Sequence, residues 1–187
     1  ISLSAGYARV PVTCIEDYVL PKWVNGDTLV LALDYYGSSD QVVKVYREAA
    51  ERKARLLSVS VGGELAREAR RFRANHIALR YGALARVAFY YTLGAMVAIA
   101  KKLDLIEMKE STVTEVSVLA RTLIENINPE VAQYQNNAKQ LAEKILTKKT
   151  FIVGSGPLVP IARKWGVSCG ATGKVPVVSV SLSDFNA

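Results

Sequence analysis

The stretch that decides the fold runs from Thr28 to Arg52 and reads TLVLALDYYGSSDQVVKVYREAAER. Its first residues, 28–33, form a short apolar run with a β-branched residue, which is typical of a buried parallel strand. After the loop, apolar residues recur at helical spacing with charged residues between them, which predicts an amphipathic helix with Ser38 or Ser39 as its N-cap. A glycine turn that leads into a helix presents backbone N–H groups to an anion. Most strand–turn–helix junctions hold no ligand, so both interpretations stay open.

Further strands and helices alternate on both sides of this unit. Strands are predicted at 10–15, 55–61, 75–79, 150–153 and 175–180, and helices at 64–72, 84–103, 113–127 and 129–147, with a last helix ending at Trp165. The helix at 129–147 is predicted to start at Asn128-Pro129, since asparagine suits an N-cap and proline the first helical position. This alternation predicts a parallel sheet with right-handed crossovers. A second strand–loop–helix unit at 150–165 repeats the pattern of 28–52.

The composition limits the classes of function. The chain has 187 residues, is 50% hydrophobic and carries a net charge of +7, which describes one ordered domain or one domain and part of a second. The basic charge favours anionic partners such as phosphorylated metabolites, nucleic acid or a membrane surface, but its spread along the helices indicates a solvated surface. Cys14 and Cys169 have no paired spacing and no neighbouring histidine, so neither a disulfide scaffold nor a zinc site is expected. We expect a reducing cytoplasm.

The most apolar segment runs from Val87 to Ala100 and lies between Arg86 and Lys101. It is shorter than the roughly 20 residues that a membrane span needs, so a buried helix is predicted and no membrane association is expected. A helix as apolar as 84–103 is unsuited to face water, which predicts a homodimer or a tight two-lobe body. The lone histidine, His76, is expected to have a structural or surface role, and Trp23 is interpreted as a packing anchor.

Several motifs, in this order, resemble the bifunctional phosphoglucose/phosphomannose isomerases of the sugar isomerase (SIS) fold group. DYVLPKWV at 17–24 resembles the family's D-Y-x-L-P-x-W-V, DYYGSS at 34–39 stands where the family has S-Y-S-G-N-T, and VGG at 61–63 where it has S-G-G. ARVAFY at 85–90 resembles a P-R-x-x-x-G helix start, Gly154-Ser155-Gly156 opens the second lobe, and GKVP at 173–176 stands at S-K-V-P. The resemblance covers nearly the whole chain.

The resemblance implies a flavodoxin-like α/β fold, in which a parallel sheet is flanked by helices and a second SIS-like lobe begins near the end of the chain. The expected limits are 1–106 for the SIS-like domain, 107–148 for a helical connection and 149–187 for the second lobe. The family's first glycine-rich element, G-M-G-G-S with its strand and helix, would precede Ile1. We therefore interpret the sequence as a divergent or truncated member of the family.

The resemblance also assigns functional residues. Arg86 and Lys174 stand at catalytic positions. The expected sugar-phosphate contacts are Gly37, Ser38, Ser39, Gly62, Gly63, Gly154, Ser155 and Gly156. The expected partner is a phosphorylated hexose or another small anion, no metal or cofactor is expected, and nucleic acid is a distant alternative that rests on the net charge alone.

The family's base and acid are missing. Ala171 replaces the glutamate of N-E-N-S-K-V-P and Ala187 the histidine of L-P-E-L-N-H, while Asp34 and Tyr36 replace two loop serines. Isomerisation of an aldose to a ketose needs a base to move a proton between C1 and C2 and an acid to open the ring, and alanine does neither. By family the chain is an isomerase, but impaired catalysis is expected, and the alternative is a non-catalytic sugar-phosphate sensor or assembly protein. Two carboxylates remain as candidates for a substitute base: Glu64 and Asp184.

Overall fold

The structure is a computed structural model that describes residues 8–80, 82–85 and 87–185. The chain forms two compact units. One consists of residues 13–103, and the other of residues 104–187 together with the segment 1–12. The domain limits expected at residues 106 and 148 stay predictions.

The unit of residues 13–103 contains a three-stranded parallel sheet. Its strands are β1 (Leu29–Leu33), β2 (Arg55–Ser60) and β3 (Asn75–Ala78), which lie in the order β1-β2-β3. Helices α1 (Asp40–Glu51) and α2 (Gly63–Arg71) form the two crossovers, and α3 (Phe89–Lys102) follows β3. The prediction of parallel strands separated by helices is confirmed for these three, and with it the α/β fold.

Helices cover both faces of this sheet. On one face, α1 and α2 enclose a buried cluster that consists of Ala32, Val43, Tyr46, Leu65 and Ala69. On the other face, Leu57 and Val59 pack against Ile99 of α3. Side chains alternate between the two faces of a strand. The buried Ser58 and Ser60 therefore point toward α1 and α2.

Two predictions for the N-terminal part of the chain are wrong. None of residues 10–15, all of which the structure describes, lies in a strand, and Pro11 has no N–H to donate to a β-ladder. The following segment packs through aliphatic side chains, because Leu20 and Val24 are buried against α1. Trp23 is 59% exposed and is no packing anchor.

The second unit contains the predicted second β-α-β arrangement. β4 (Thr150–Gly154) and β5 (Val177–Ser181) are parallel, with Thr150 opposite Val177 and Gly154 opposite Ser181. Helix α6 (Val159–Ser168) connects them and buries Ala162 and Gly166. A one-turn helix, α7 (Leu182–Phe185), follows β5.

Two further helices belong to this unit, α4 (Glu110–Ile127) and α5 (Asn137–Leu146). The predicted helix start at Asn128-Pro129 is wrong, because Asn136 caps the second helix instead. Its side-chain oxygen accepts hydrogen bonds of 3.1 Å from the backbone N–H groups of Ala138 and Lys139. Its amide nitrogen donates to the Asn128 carbonyl at 3.0 Å, so the buried Asn136 holds the intervening turn.

Helix α3 begins at Phe89, later than the predicted residue 84, and Ile99 is its one buried residue. Tyr90 is 76% exposed. Within a single chain the helix is therefore not covered on most sides, contrary to the prediction of a buried helix. The homodimer that the apolar sequence suggested stays a prediction.

Candidate functional sites

The first candidate site lies at the carboxyl end of β1, where residues 34–39 lead into α1. The Asp34 carbonyl accepts a hydrogen bond from the Gly37 N–H at 3.1 Å, which closes a tight turn. Gly37 has a φ of +68°, a conformation that glycine adopts without steric cost. The Asp34 carboxylate turns back and accepts the Ser39 backbone N–H at 2.7 Å through Oδ2. The loop therefore carries its own negative charge at the start of a helix.

The loop after β2 packs directly on this turn. A Cβ atom on Gly37 would lie 2.0 Å from the Gly62 carbonyl oxygen, and one on Gly63 would lie 2.4 Å from the Tyr36 carbonyl oxygen. The Leu65 N–H donates to the Gly37 carbonyl at 2.9 Å. The structure thus brings together five of the expected contact residues, which are Gly37, Ser38, Ser39, Gly62 and Gly63. Their role in binding stays a prediction.

Two tyrosines connect the same turn to the segment after β3. The Tyr35 hydroxyl donates to the Ala83 carbonyl at 2.9 Å and accepts the Ala83 N–H at 3.2 Å. The Tyr36 hydroxyl accepts the Ala85 N–H at 3.2 Å. The two rings meet edge to face, with centroids 5.0 Å apart. Tyr36, noted in the sequence only as a lost serine, therefore has a structural role, while Arg86 lies outside the described residues.

Glu64, one of the two candidate substitute bases, is held in an ion-pair cluster. Arg47 of α1 donates to the Glu64 carboxylate and, at 2.9 Å, to that of Glu68. The hydrogen bond from Arg47 is the main cause that holds the pKa of Glu68 below its ordinary value, and the bond to Glu68 in turn raises the pKa of Arg47. A carboxylate that is paired with a guanidinium is stabilised in its charged form. The Glu64 carboxylate is therefore engaged by Arg47 of α1.

His76 lies in β3, and its ring nitrogen Nδ1 is 2.9 Å from the hydroxyl of the buried Ser58. Burial lowers the pKa of His76, and the nearby charge of Arg70 adds to that effect. His76 is half-buried on the edge strand of the sheet, and the structural or surface role expected for it stays a prediction. Within residues 8–80, 82–85 and 87–185, no three His, Cys, Asp or Glu side chains are grouped so as to hold a metal ion.

The second candidate site is a cavity of about 310 Å³ at the carboxyl ends of β4 and β5. Its lining consists of Gly154, Ser155, Gly156, Val159, Ser181, Leu182 and Ser183. The Ser181 and Ser183 hydroxyls are 2.7 Å apart, and Ser181 also accepts the Asp184 N–H at 3.2 Å. Three of the expected contact residues therefore line one cavity. The two serines at the end of β5 and just beyond it were missed, although ligands commonly bind at the carboxyl ends of parallel strands.

Lys174, expected at a catalytic position, lies away from this cavity. It precedes β5, whereas the cavity residues Ser181 and Ser183 stand at and beyond the other end of that strand. Lys174 adopts a φ of +56°, and its ammonium group donates to the Ala171 carbonyl at 3.1 Å. Ala171 belongs to a π-helical turn, Cys169–Gly173. Lys174 therefore contacts Ala171, which stands where the resembling family has a glutamate. It does not line the cavity that contains Ser155, Ser181 and Ser183, which we call the serine cavity.

The chain is similar to curated proteins named bifunctional phosphoglucose/phosphomannose isomerase. The protein of Caldicellulosiruptor bescii is 30% identical over 179 residues, which are 95% of this chain and 53% of the relative. That of Thermoplasma volcanium is 24% identical over 182 residues, which are 96% of this chain and 54% of the relative. The chain thus spans about half the length of the curated relatives it matches. No model of a protein family matches it.

Solved structures show the same fold. A Bacillus subtilis protein provisionally described as a phosphosugar isomerase superposes with a TM-score of 0.63 at 16% identity, over 89% of this chain and 50% of that one. Glucosamine-6-phosphate deaminase of Thermotoga maritima superposes with a TM-score of 0.64 at 12% identity, over 89% and 49%. None of the helices among the described residues is long and apolar enough to cross a membrane. The chain is therefore similar to bifunctional phosphoglucose/phosphomannose isomerases over about half of their length, and it shares the fold of these solved structures.

Proposed function

We propose that the chain binds a phosphorylated hexose and isomerises it slowly or not at all. The observation that carries the binding part is the serine cavity at the ends of β4 and β5, in a chain similar to phosphoglucose/phosphomannose isomerases over 95% of its length. Glycine-rich turns before helices offer backbone N–H groups to a phosphate, and serine hydroxyls add further donors. Ser155, Ser181 and Ser183 are the residues that we assign to this task.

The catalytic part of the proposal rests on what Ala171 lacks. Its methyl group takes no proton. Of the described carboxylates that were candidates for a substitute, Glu64 is paired with Arg47, and Asp184 lies on the exposed helix α7, next to the cavity residue Ser183. Loss of a positioned acid or base costs ~10²–10⁴-fold in rate. A binding-only role, as a sugar-phosphate sensor or assembly protein, is the second candidate, and the same alanine favours it.

Calorimetric titration with fructose 6-phosphate tests the binding. We expect a dissociation constant around millimolar, which corresponds to a binding free energy of ~4 kcal/mol. Ser155→Ala and Ser183→Ala should each weaken it by about tenfold, because each removes a hydrogen bond to a charged group. Ser117→Ala is the matched control, since this exposed serine bonds only the Val113 carbonyl of its own helix. Binding that neither cavity variant weakens would contradict the assignment of the cavity.

A coupled assay with the same substrate tests the chemistry. We expect turnover well below the usual enzyme range of ~1–10³ per second, and turnover within that range would refute the catalytic part. Ala171→Glu restores the family's carboxylate. If the site has lost only its base, this variant recovers part of the rate. No recovery favours the binding-only role.

We also expect a homodimer, because the apolar residues of α3 are exposed in the single chain. Light scattering on the purified chain measures the mass directly. A monomer at micromolar concentration contradicts this expectation. The cytoplasmic location stays a prediction from the cysteine content.

A further inference from the structure

Asp34 places a negative charge inside the loop that resembles a phosphate-binding loop. Its carboxylate accepts the Ser39 N–H at 2.7 Å, so this backbone donor at the start of α1 already has an anionic partner. A second carboxylate, Asp40, stands in the first turn of the same helix. The end of β1 therefore offers two negative charges to an approaching ligand.

The backbone of the loop keeps the close packing that a glycine turn allows. Gly37 lies against Gly62, and the Leu65 N–H is bonded to the Gly37 carbonyl at 2.9 Å. The two tyrosines that precede Gly37 are also anchored, through Ala83 and Ala85. The backbone of the loop is thus held by contacts in which the Asp34 carboxylate takes no part. A phosphate group that approached this backbone would therefore meet the negative charge of the Asp34 carboxylate.

We propose that Asp34 is a built-in anion of the β1–α1 loop, which occupies the Ser39 N–H and makes the loop select against phosphate groups. The inference rests on the proposed function and deepens it, since it states that this loop does not take the phosphate group of the ligand. Like charges repel by about 1 kcal/mol at 4 Å in water and by more where water is excluded. Removal of the carboxylate should therefore raise phosphate affinity at the loop by about tenfold or more.

The test uses the 187-residue chain, labelled with ¹⁵N and titrated with inorganic phosphate. The readout is the amide signal of Ser39, which reports on this loop and not on the serine cavity. Asp34→Ser removes the charge and the acceptor, and Asp34→Asn removes only the charge and keeps an acceptor for the Ser39 N–H. Asp40→Asn is the matched control, because it removes a negative charge from the same helix start without touching that hydrogen bond.

We expect the Ser39 signal of the wild-type chain to respond weakly, and that of both Asp34 variants to titrate with at least about tenfold higher affinity. Asp40→Asn should gain clearly less than either Asp34 variant, because the Asp34 carboxylate still occupies the Ser39 N–H. Saturation of the Ser39 signal in the wild type at the concentration that saturates the variants would overturn the inference. An equal gain in phosphate affinity in Asp40→Asn would also overturn it, because the gain would then come from the net charge of the helix start and not from the position of Asp34. If Asp34→Ser fails to fold, Asp34→Asn decides alone, because it keeps the loop's hydrogen bond.

A parallel titration with fructose 6-phosphate separates this inference from the proposed function. If the wild type binds no sugar phosphate but the Asp34 variants gain phosphate at Ser39, the proposed function fails and the inference stands. If the wild type binds sugar phosphate and its Ser39 signal follows inorganic phosphate as strongly as the variants do, the proposed function stands and the inference fails.

Discussion

Replacement of Gly37 by alanine should unfold the first candidate site, because two independent costs meet at this residue. Its φ of +68° lies in the left-handed region, which costs a residue with a Cβ roughly 1–2 kcal/mol. The added Cβ would also lie 2.0 Å from the Gly62 carbonyl oxygen. That neighbour is backbone, so the two loops must move apart at a cost of about 1–3 kcal/mol, as in an overpacked core.

Together these costs give a loss of about 2–5 kcal/mol, a large part of the ~5–15 kcal/mol by which a domain is stable. Urea unfolding measures it. In a Trp165→Phe background the fluorescence of Trp23 reports on the unit of residues 13–103 alone. With an m-value of about 2 kcal/mol per molar urea, the middle of the usual range of ~1–3, the midpoint should fall by about 1–2.5 M.

Gly94→Ala is the control for this experiment. Gly94 lies inside α3, and apart from its chain neighbours and the backbone of its own helix, no heavy atom of the described residues stands within 4 Å of the position its Cβ would take. Alanine is favoured over glycine in a helix by ~0.5–1 kcal/mol, so the midpoint should rise slightly. The reasoning is refuted if Gly37→Ala unfolds at the wild-type midpoint, or if the two variants lose stability equally.

Three further predictions concern stability. The pKa of His76 is lowered in the folded chain, so at a pH near or below its ordinary value of 6.5 the unfolded chain binds more protons. The free energy of unfolding should therefore decrease as the pH falls through that value, and it should decrease less in His76→Gln. Asn136→Ala removes a cap of two backbone N–H groups and should cost about 1–2 kcal/mol in thermal or urea unfolding, whereas the exposed Asn137→Ala should cost little. Arg47→Gln breaks the ion pairs to α2 and leaves the mostly buried Glu68 with only the longer ion pair to Arg71, at 3.5 Å. Its urea midpoint should fall, and the loss should shrink as the pH falls through the lowered pKa of Glu68.

Local patterns in the sequence were sufficient to predict most of the elements. The period-2 and helical patterns placed β1, β2, β3, α1 and α2 within a few residues, since each pattern reflects the burial of one face of a strand or helix. The errors fall where one local signal competes with another. Asn128-Pro129 and Asn136 both suit a helix start, and only the bonds of Asn136 to Asn128 and to the first turn of α5 decide between them.

The candidate sites were predicted in part. The glycines and serines of the expected contacts meet in two groups, because parallel strands bring their carboxyl ends to one edge of a sheet. Ser181 and Ser183 were missed, since a serine after a strand has no local signature of a cavity. The role of Tyr36 was also missed, because its partner, Ala85, is distant in sequence.

The sequence by itself determined that strands and helices alternate, that the sheets are parallel and that the chain resembles phosphoglucose/phosphomannose isomerases, because these properties are written in residues close together in the chain or in motif order. Only the tertiary structure decided that the Asp34 carboxylate takes the Ser39 N–H, that Gly37 meets Gly62, and that Lys174 lies at the opposite end of β5 from the serine cavity. Such contacts depend on the direction of side chains and on the register of segments distant in sequence, which no local periodicity encodes.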